Sequence, residues 1–314
     1  MTHLKFFKHI QKTDVAIAGG KGASLGEMSN AGIPVPPGFV VLADAFDRFI
    51  EETHLKAEVE ARLSEVNPED TNSIEKASNV LRDVIHDTPM PEDLKQEIMA
   101  AFKELGAEYV AVRSSATAED GEIASWAGEL DTFLNTTEEN LLEKVKECWS
   151  SLFTPRAIFY RHEKDLVDHH VSVAVVVQAM VQSEISGVAF TVHPVTEDRN
   201  QMIIEAGLGL GEAIVSGQIT PDSYVVLKDD MTLFDITVGH QKKKLEMGNE
   251  KLNVWTELGE DGEKQKLTGR QIIMLAELCK HIEAHYGAPC DIEWAFADDK
   301  FYITQSRPIT TLKV

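Results

Sequence analysis

Apolar positions recur along this chain with two different periods, and the change of period divides it. Residues 15–28 read as a short apolar piece, a glycine turn at Gly19-Gly20 and a helix start, KGASLGEM, which Pro34, Pro36 and Pro37 end. Residues 38–42, GFVVL, read as a strand. From 43 to about 104 the spacing is helical on an acidic background, broken at Asn67-Pro68 and at Pro89 and Pro91. From 107 the texture changes to a short β-type run at 109–112, a Ser/Thr/Gly-rich stretch to 128 and a strand at 130–134. Helical spacing returns over 137–151 and 155–164. Strands are predicted at 172–178, 187–192 and 201–205, where continuous Val, Ile and Phe imply burial on both faces. Further β-type runs lie at 223–227 and 233–238. The polar stretch 239–266 predicts an exposed loop or small flap, 268–286 an amphipathic helix, and 290–307 a hairpin. A helix-rich part, 1–106, followed by a mixed, strand-rich part, 107–314, predicts an α+β fold.

Composition narrows the partners. At 314 residues, two domains or lobes are expected. Hydrophobic residues make up 43% and charged residues 26%, the balance of a globular chain. Thirty Lys and Arg against 52 Asp and Glu give a net charge of −22. Such a surface repels nucleic acid and anionic lipid, so an anionic ligand must meet a local cluster of cations or a metal. Cys148, Cys279 and Cys290 are odd in number and widely spaced, which argues against a disulfide framework and fits a reducing cytoplasm. The N-terminal MTHLKFFKHIQKTD has no apolar stretch of signal-peptide length. The most apolar run, 171–181, is too short for a bilayer crossing of about 20 residues.

The chemistry concentrates in four places. In the C-terminal hairpin, CDIEWAFADDKFYITQSRP, strand alternation puts Asp291, Glu293, Gln305 and Arg307 on one face. Ile292, Trp294, Phe296 and Tyr302 fall on the other, with Ala295 and Ile303 expected on the polar side. With the turn centred on Asp299, Glu293 faces Gln305 and Asp291 faces Arg307. Two carboxylates and an amide suit Mg²⁺, which shares its octahedron with phosphate oxygens, and a guanidinium suits phosphate. A solvated face with one cross-strand ion pair is the plain alternative. The second place, 18–24, combines glycines that allow close backbone approach, a helix start and Lys21, without the GxxxxGK[ST] spacing of a Walker loop. The third is VRSSATAED, 112–120, with Arg113 at a strand end, followed by the small-residue loop 124–128. The fourth, EAGLGLGEAIVSG, 205–217, lacks the βαβ context of a dinucleotide site and reads as a tight strand-to-helix turn. The 11 histidines form no recognisable ligand spacing, and no cysteine is set as a nucleophile.

Seven motifs together resemble one family. GGKGASLGEM, VPPGFVV, VRSSATAED, AGELDTFLN, SGVAFTVHPVT, GLGEAIVSG and DIEWA…YITQSRPIT occur in order over nearly the whole chain. They are similar to the N-terminal nucleotide-binding domain shared by phosphoenolpyruvate synthases, pyruvate phosphate dikinases and rifampicin phosphotransferases. The resemblance implies an ATP-grasp fold, in which two α+β lobes hold ATP, with Mg²⁺. It implies that Lys21, Arg113 and Arg307 contact phosphates and that Gly128 and Thr132 of the loop lie near them. Gln178, Met180 and Val181 would line the adenine site, and Glu293 and Gln305, with Asp291, would hold the metal and nucleotide. DGEIASWAGEL departs from the family, which often has Leu-Pro after the Asp, Phe for Trp126 and Gln for Glu129. The implied partners are a phosphohistidine swivel domain and a pyruvate-binding domain, neither of whose motifs occurs here, on a longer chain or separate ones. The implied reaction is that of pyruvate, water dikinase, with the ATP-binding domain of a rifampicin-type antibiotic phosphotransferase or of a pyruvate phosphate dikinase, or a non-catalytic nucleotide-sensing module, as alternatives.

Overall fold

The computed structural model describes residues 2–117, 131–164, 166, 171–249 and 252–309. The chain folds as two compact units, Met1–Ala31 with Pro37–Met180, and Gly32–Pro36 with Val181–Val314. The change of texture at 105–110 therefore falls inside the first unit, and the division lies at Met180/Val181. The reason is pairing: β3 (Val110–Ala116), which opens the strand-rich part, pairs along its whole length with β5 (Val173–Ala179). β5 in turn pairs with β2 (Gly38–Val41), from the helix-rich part.

In the first unit these strands belong to an antiparallel sheet of order β1-β2-β5-β3-β4, with β1 at Leu4–Phe6 and β4 at Thr132–Thr136. β1 is only three residues long and has no periodicity of its own for the sequence to display. One sheet face, carrying Val112, Val175 and Val177, packs into the main core with Phe46, Phe49, Leu81, Ile98 and Trp149. Those side chains come from α2 (Ala43–Glu52), α4 (Thr71–Asp87), α5 (Glu92–Leu105) and α6 (Leu141–Ser150), and Trp149 stacks at 5.0 Å on Phe49. Two shorter helices, α3 (Lys56–Ser64) and α7 (Pro155–Glu163), pack outside them against α4. The opposite face is covered by α1 (Val15–Asn30). The helix is broken at Gly19 (φ 68°, ψ 171°), the predicted glycine turn.

The second unit is built on an antiparallel sheet of order β13-β12-β6-β7-β8-β9. Its strands are β6 (Ile185–Phe190), β7 (Gln201–Leu208), β8 (Asp222–Leu227), β9 (Thr232–Thr237), β12 (Cys290–Ala297) and β13 (Lys300–Pro308). A single-turn helix, α8 (Glu212–Val215), follows β7, which is the predicted strand-to-helix turn. Stretch 239–266 is more than a loop: β10 (Lys243–Met247) and β11 (Asn253–Glu257) pair in a small hairpin, with Lys243 Nζ 3.9 Å from the centre of the Trp255 ring. α9 (Gly269–Tyr286) packs on the sheet through Ile272, Leu275, Ala276, Cys279 and Ile282. Lys266 and Asp222 form a fully buried ion pair at 2.9 Å. It is saturated by the Tyr224 hydroxyl, the Gly239 and Lys266 amides, and the Gly239 and Gly262 carbonyls.

Candidate functional site

In the first unit, strand register puts the expected residues on one sheet face. Arg113 pairs with Val176 on one side and Thr132 on the other, and Val176 pairs with Val40. Gln178 lies two residues beyond Val176, on the same face by alternation. Arg113 and Gln178 are buried, whereas Thr132 is exposed. Onto this face comes the glycine turn that carries Lys21. A Cβ on Gly22 would touch Val40, and one on Gly19 would overlap Ser115 Oγ and the Ser115 carbonyl oxygen. Ser115 Oγ accepts a hydrogen bond from the Gly22 amide at 3.3 Å. The neighbouring Ser114 donates to the Asp131 carbonyl at 2.8 Å, and burial raises the nearby Cys148 thiol, with Ser114 and the charge of Lys21 opposing the rise. Burial also raises the Asp131 carboxyl, with Arg82 opposing the rise and Glu147 adding to it. Met180 closes the unit, its amide donating to the Tyr109 carbonyl at 3.0 Å. Gly128 lies outside the described residues.

In the second unit, Glu293 pairs with Gln305 and Asp291 with Arg307, the register the sequence predicts. It arises differently from the prediction. The turn is Asp298-Asp299, both at positive φ (51° and 57°), a two-residue connection that would bring other pairs opposite. A bulge after Glu293, with Thr304 as the extra residue, then shifts the register by one. The bulge also corrects the inner part of the hairpin. Ile303 pairs with Trp294 on the core face, and Tyr302 pairs with Ala295 on the polar face. Arg307 donates from Nε and an η nitrogen to Asp291 Oδ2 at 2.9 and 2.8 Å. Burial raises the Asp291 carboxyl, and the Arg307 guanidinium opposes the rise. Val181 opens the longer segment of this unit, its carbonyl accepting from the Ser183 amide at 2.9 Å.

Two further residues belong to these faces. Ser115 shares Arg113's face by strand alternation, which its place two residues on already implied. Glu205 needs the sheet order to be found: the row runs Gln305, Glu293, Val188, Glu205, Ser223 across five strands. Burial alone raises the Glu205 carboxyl above its ordinary range. Among the described residues no group of three or more His, Cys, Asp or Glu is placed to enclose a metal ion. Two carboxylates and an amide on one sheet face fit a Mg²⁺ ion that takes its remaining oxygens from phosphates and water, as Mg²⁺ commonly does.

Comparison with known proteins identifies the family. Residues 15–314 match the family described as pyruvate phosphate dikinase, AMP/ATP-binding domain. A protein of Methanocaldococcus jannaschii named "Probable phosphoenolpyruvate synthase" is 46% identical over 324 residues, covering 100% of this chain and 27% of its own length. One of the same name from Archaeoglobus fulgidus is 48% identical over 97% of this chain and 41% of its own. A rifampicin phosphotransferase of Bacillus cereus is 39% identical over 98% of this chain and 36% of its own. The chain thus spans well under half the length of these relatives. Among solved structures, D-alanyl-alanine synthetase A of Vibrio cholerae aligns over 91% of the chain at 9% identity and a TM-score of 0.32, too distant to bear on the fold. Matched over residues 15–314 and by relatives 46% and 48% identical over 100% and 97% of its length, the chain belongs to the family of pyruvate phosphate dikinase AMP/ATP-binding domains.

Proposed function

We propose that this chain is an ATP-grasp unit that binds MgATP and donates a phosphoryl group to a histidine of a phosphohistidine domain. In the full system the sum is ATP, pyruvate and water to AMP, phosphoenolpyruvate and phosphate. The observation that carries the reading is the shared face of the first sheet, with Arg113, Thr132, Gln178 and the Lys21 turn. In a chain of net charge −22, a polyphosphate needs local cations, and Lys21, Arg113 and Arg307 supply them. Lys21 neutralises phosphate as a point charge; Arg113 and Arg307 present planar forks that fix oxygen positions. Phosphoryl transfer asks for such positioning and neutralisation more than for covalent chemistry by the protein. Thr132, with Gly128 of the loop, orients phosphates, while Gln178, Met180 and Val181 line the adenine. Glu293 and Gln305 hold the metal and nucleotide, joined by Asp291, which also orients Arg307. Bound Mg²⁺ supplies further neutralisation of the phosphate oxygens.

The 39% identical rifampicin phosphotransferase supports a second reading, in which the same nucleotide chemistry serves an antibiotic acceptor. Calorimetry of MgATP, ATP with EDTA, and adenosine tests what the two readings share. Lys21→Ala and Arg113→Ala are expected to weaken MgATP about tenfold to a hundredfold and to spare adenosine. Equal losses for both ligands would contradict the phosphate roles, and equal ATP affinity with and without EDTA would remove the metal. Histidine phosphorylation of an added swivel domain, lost in Glu293→Gln, separates transfer from nucleotide sensing.

A further inference from the structure

We propose that Ser115 is a positioning residue that sets Lys21 against Arg113, an inference that rests on the phosphate-binding reading of those two cations. Gly19 and Gly22 flank Lys21 in sequence, and both are held by the same serine. Ser115 Oγ accepts the Gly22 amide hydrogen bond at 3.3 Å, a buried contact across 93 residues of chain. Gly19, at φ 68°, lies so close to the Ser115 Oγ and carbonyl that no Cβ fits. The Gly22 amide belongs to the first turn after the helix break, where amides lack an intrahelical partner. A strand hydroxyl thus caps this turn from a distance.

The consequence follows from strand alternation. Arg113 and Ser115 lie on one face of β3, two residues apart, with Ser115 fully buried. One end of this three-residue segment carries a cation; the other grips the backbone on both sides of the second cation. The spacing of the two charges is therefore set by β3 through the serine hydroxyl, which acts through Lys21. Loss of the hydroxyl leaves the Gly22 amide without its acceptor and frees the turn to shift against the strand.

A double-mutant cycle tests this with MgATP and adenosine calorimetry on wild type, Ser115→Ala, Lys21→Ala and the pair, alongside thermal unfolding. Ser115→Ala is expected to weaken MgATP about tenfold and leave adenosine unchanged. On the Lys21→Ala background the same change is expected to cost nothing further in MgATP affinity, because the residue it positions is gone. A general loosening of the fold would instead lower both ligands or add to the Lys21 loss. Either of those results, or unchanged MgATP affinity in Ser115→Ala, overturns the proposal. If Ser115→Ala does not fold, Ser115→Cys, a near-isostere with a weak acceptor, is measured with the same two outcomes. A Lys21→Ala variant that keeps full MgATP affinity overturns the phosphate reading and this inference together; one that loses affinity while Ser115 proves silent overturns this inference alone.

Discussion

Glu205 sits half-buried in the middle of the second sheet, in the row that holds Glu293 and Gln305. Burial alone lifts its carboxyl above the ordinary range, so ionising it costs the folded chain more than the unfolded one. Between the ordinary and the raised pKa, the folded chain keeps a proton that the unfolded chain has released. Stability therefore falls as pH rises through that window and stays lowered above it. Glu205→Gln keeps the shape and removes the ionisation. Its melting temperature is expected to exceed that of wild type at pH 7 and to meet it below about pH 4, where both states are neutral. A variant that melts below wild type at pH 7 would mean that the carboxylate has a compensating partner. The thiols contrast with this: all three are buried, and burial pushes Cys290 up to about 11, so none is poised as a nucleophile.

Helix α9 and the C-terminal hairpin show how elements carry the donor residues. Ile272, Leu275, Ala276, Cys279 and Ile282 form one buried stripe on α9, which packs on β7, β8 and β12. The helix begins in a capping box: Thr268 Oγ accepts from the Gln271 amide, and Gln271 Oε1 accepts from the Thr268 amide at 2.8 Å. It ends at Gly287 in the left-handed region (φ 68°), a conformation that suits glycine. Thr268→Ala is expected to lower unfolding free energy by about 1 kcal/mol in urea titration, with MgATP affinity unchanged. A loss of ATP affinity would mean that the helix start does more than support the sheet. In the hairpin, the bulge at Thr304 is what sets Glu293 beside Gln305 after a two-residue turn.

Charge is the property that belongs to the whole molecule. With 52 acidic and 30 basic residues, self-repulsion opposes the compact state. Exposed ion pairs such as Arg48 with Asp93, 2.7 Å apart, offset it only slightly, because surface pairs contribute about 1 kcal/mol or less. Salt weakens both, and at a net charge of −22 the relief of repulsion is expected to outweigh the loss of the pairs. Raising NaCl from about 0.01 to about 0.1 M shortens the screening length from about 30 to about 10 Å and is expected to raise the melting temperature. A falling melting temperature would mean that the specific pairs outweigh the net charge. Among the described residues no helix is long and apolar enough to cross a membrane.

The sequence by itself determined most element types and the break at Gly19. These follow from local rules: side-chain period, turn chemistry and the absence of a Cβ. Strands 172–178 and 223–227 emerge as Val173–Ala179 and Asp222–Leu227, and helix 268–286 as Gly269–Tyr286. The family was legible too, because its motifs are specific and ordered. Tertiary structure alone decided the division at Met180/Val181, since β2, β3 and β5 meet from distant parts of the chain. It also decided the bulge at Thr304, which local alternation cannot register, and so the exchange of Tyr302 and Ile303 between faces. The placement of Glu205 in Glu293's row and the grip of Ser115 on the Lys21 turn are likewise tertiary. Both depend on which strands lie side by side, a choice made by packing over the whole chain and not by the residues on either side.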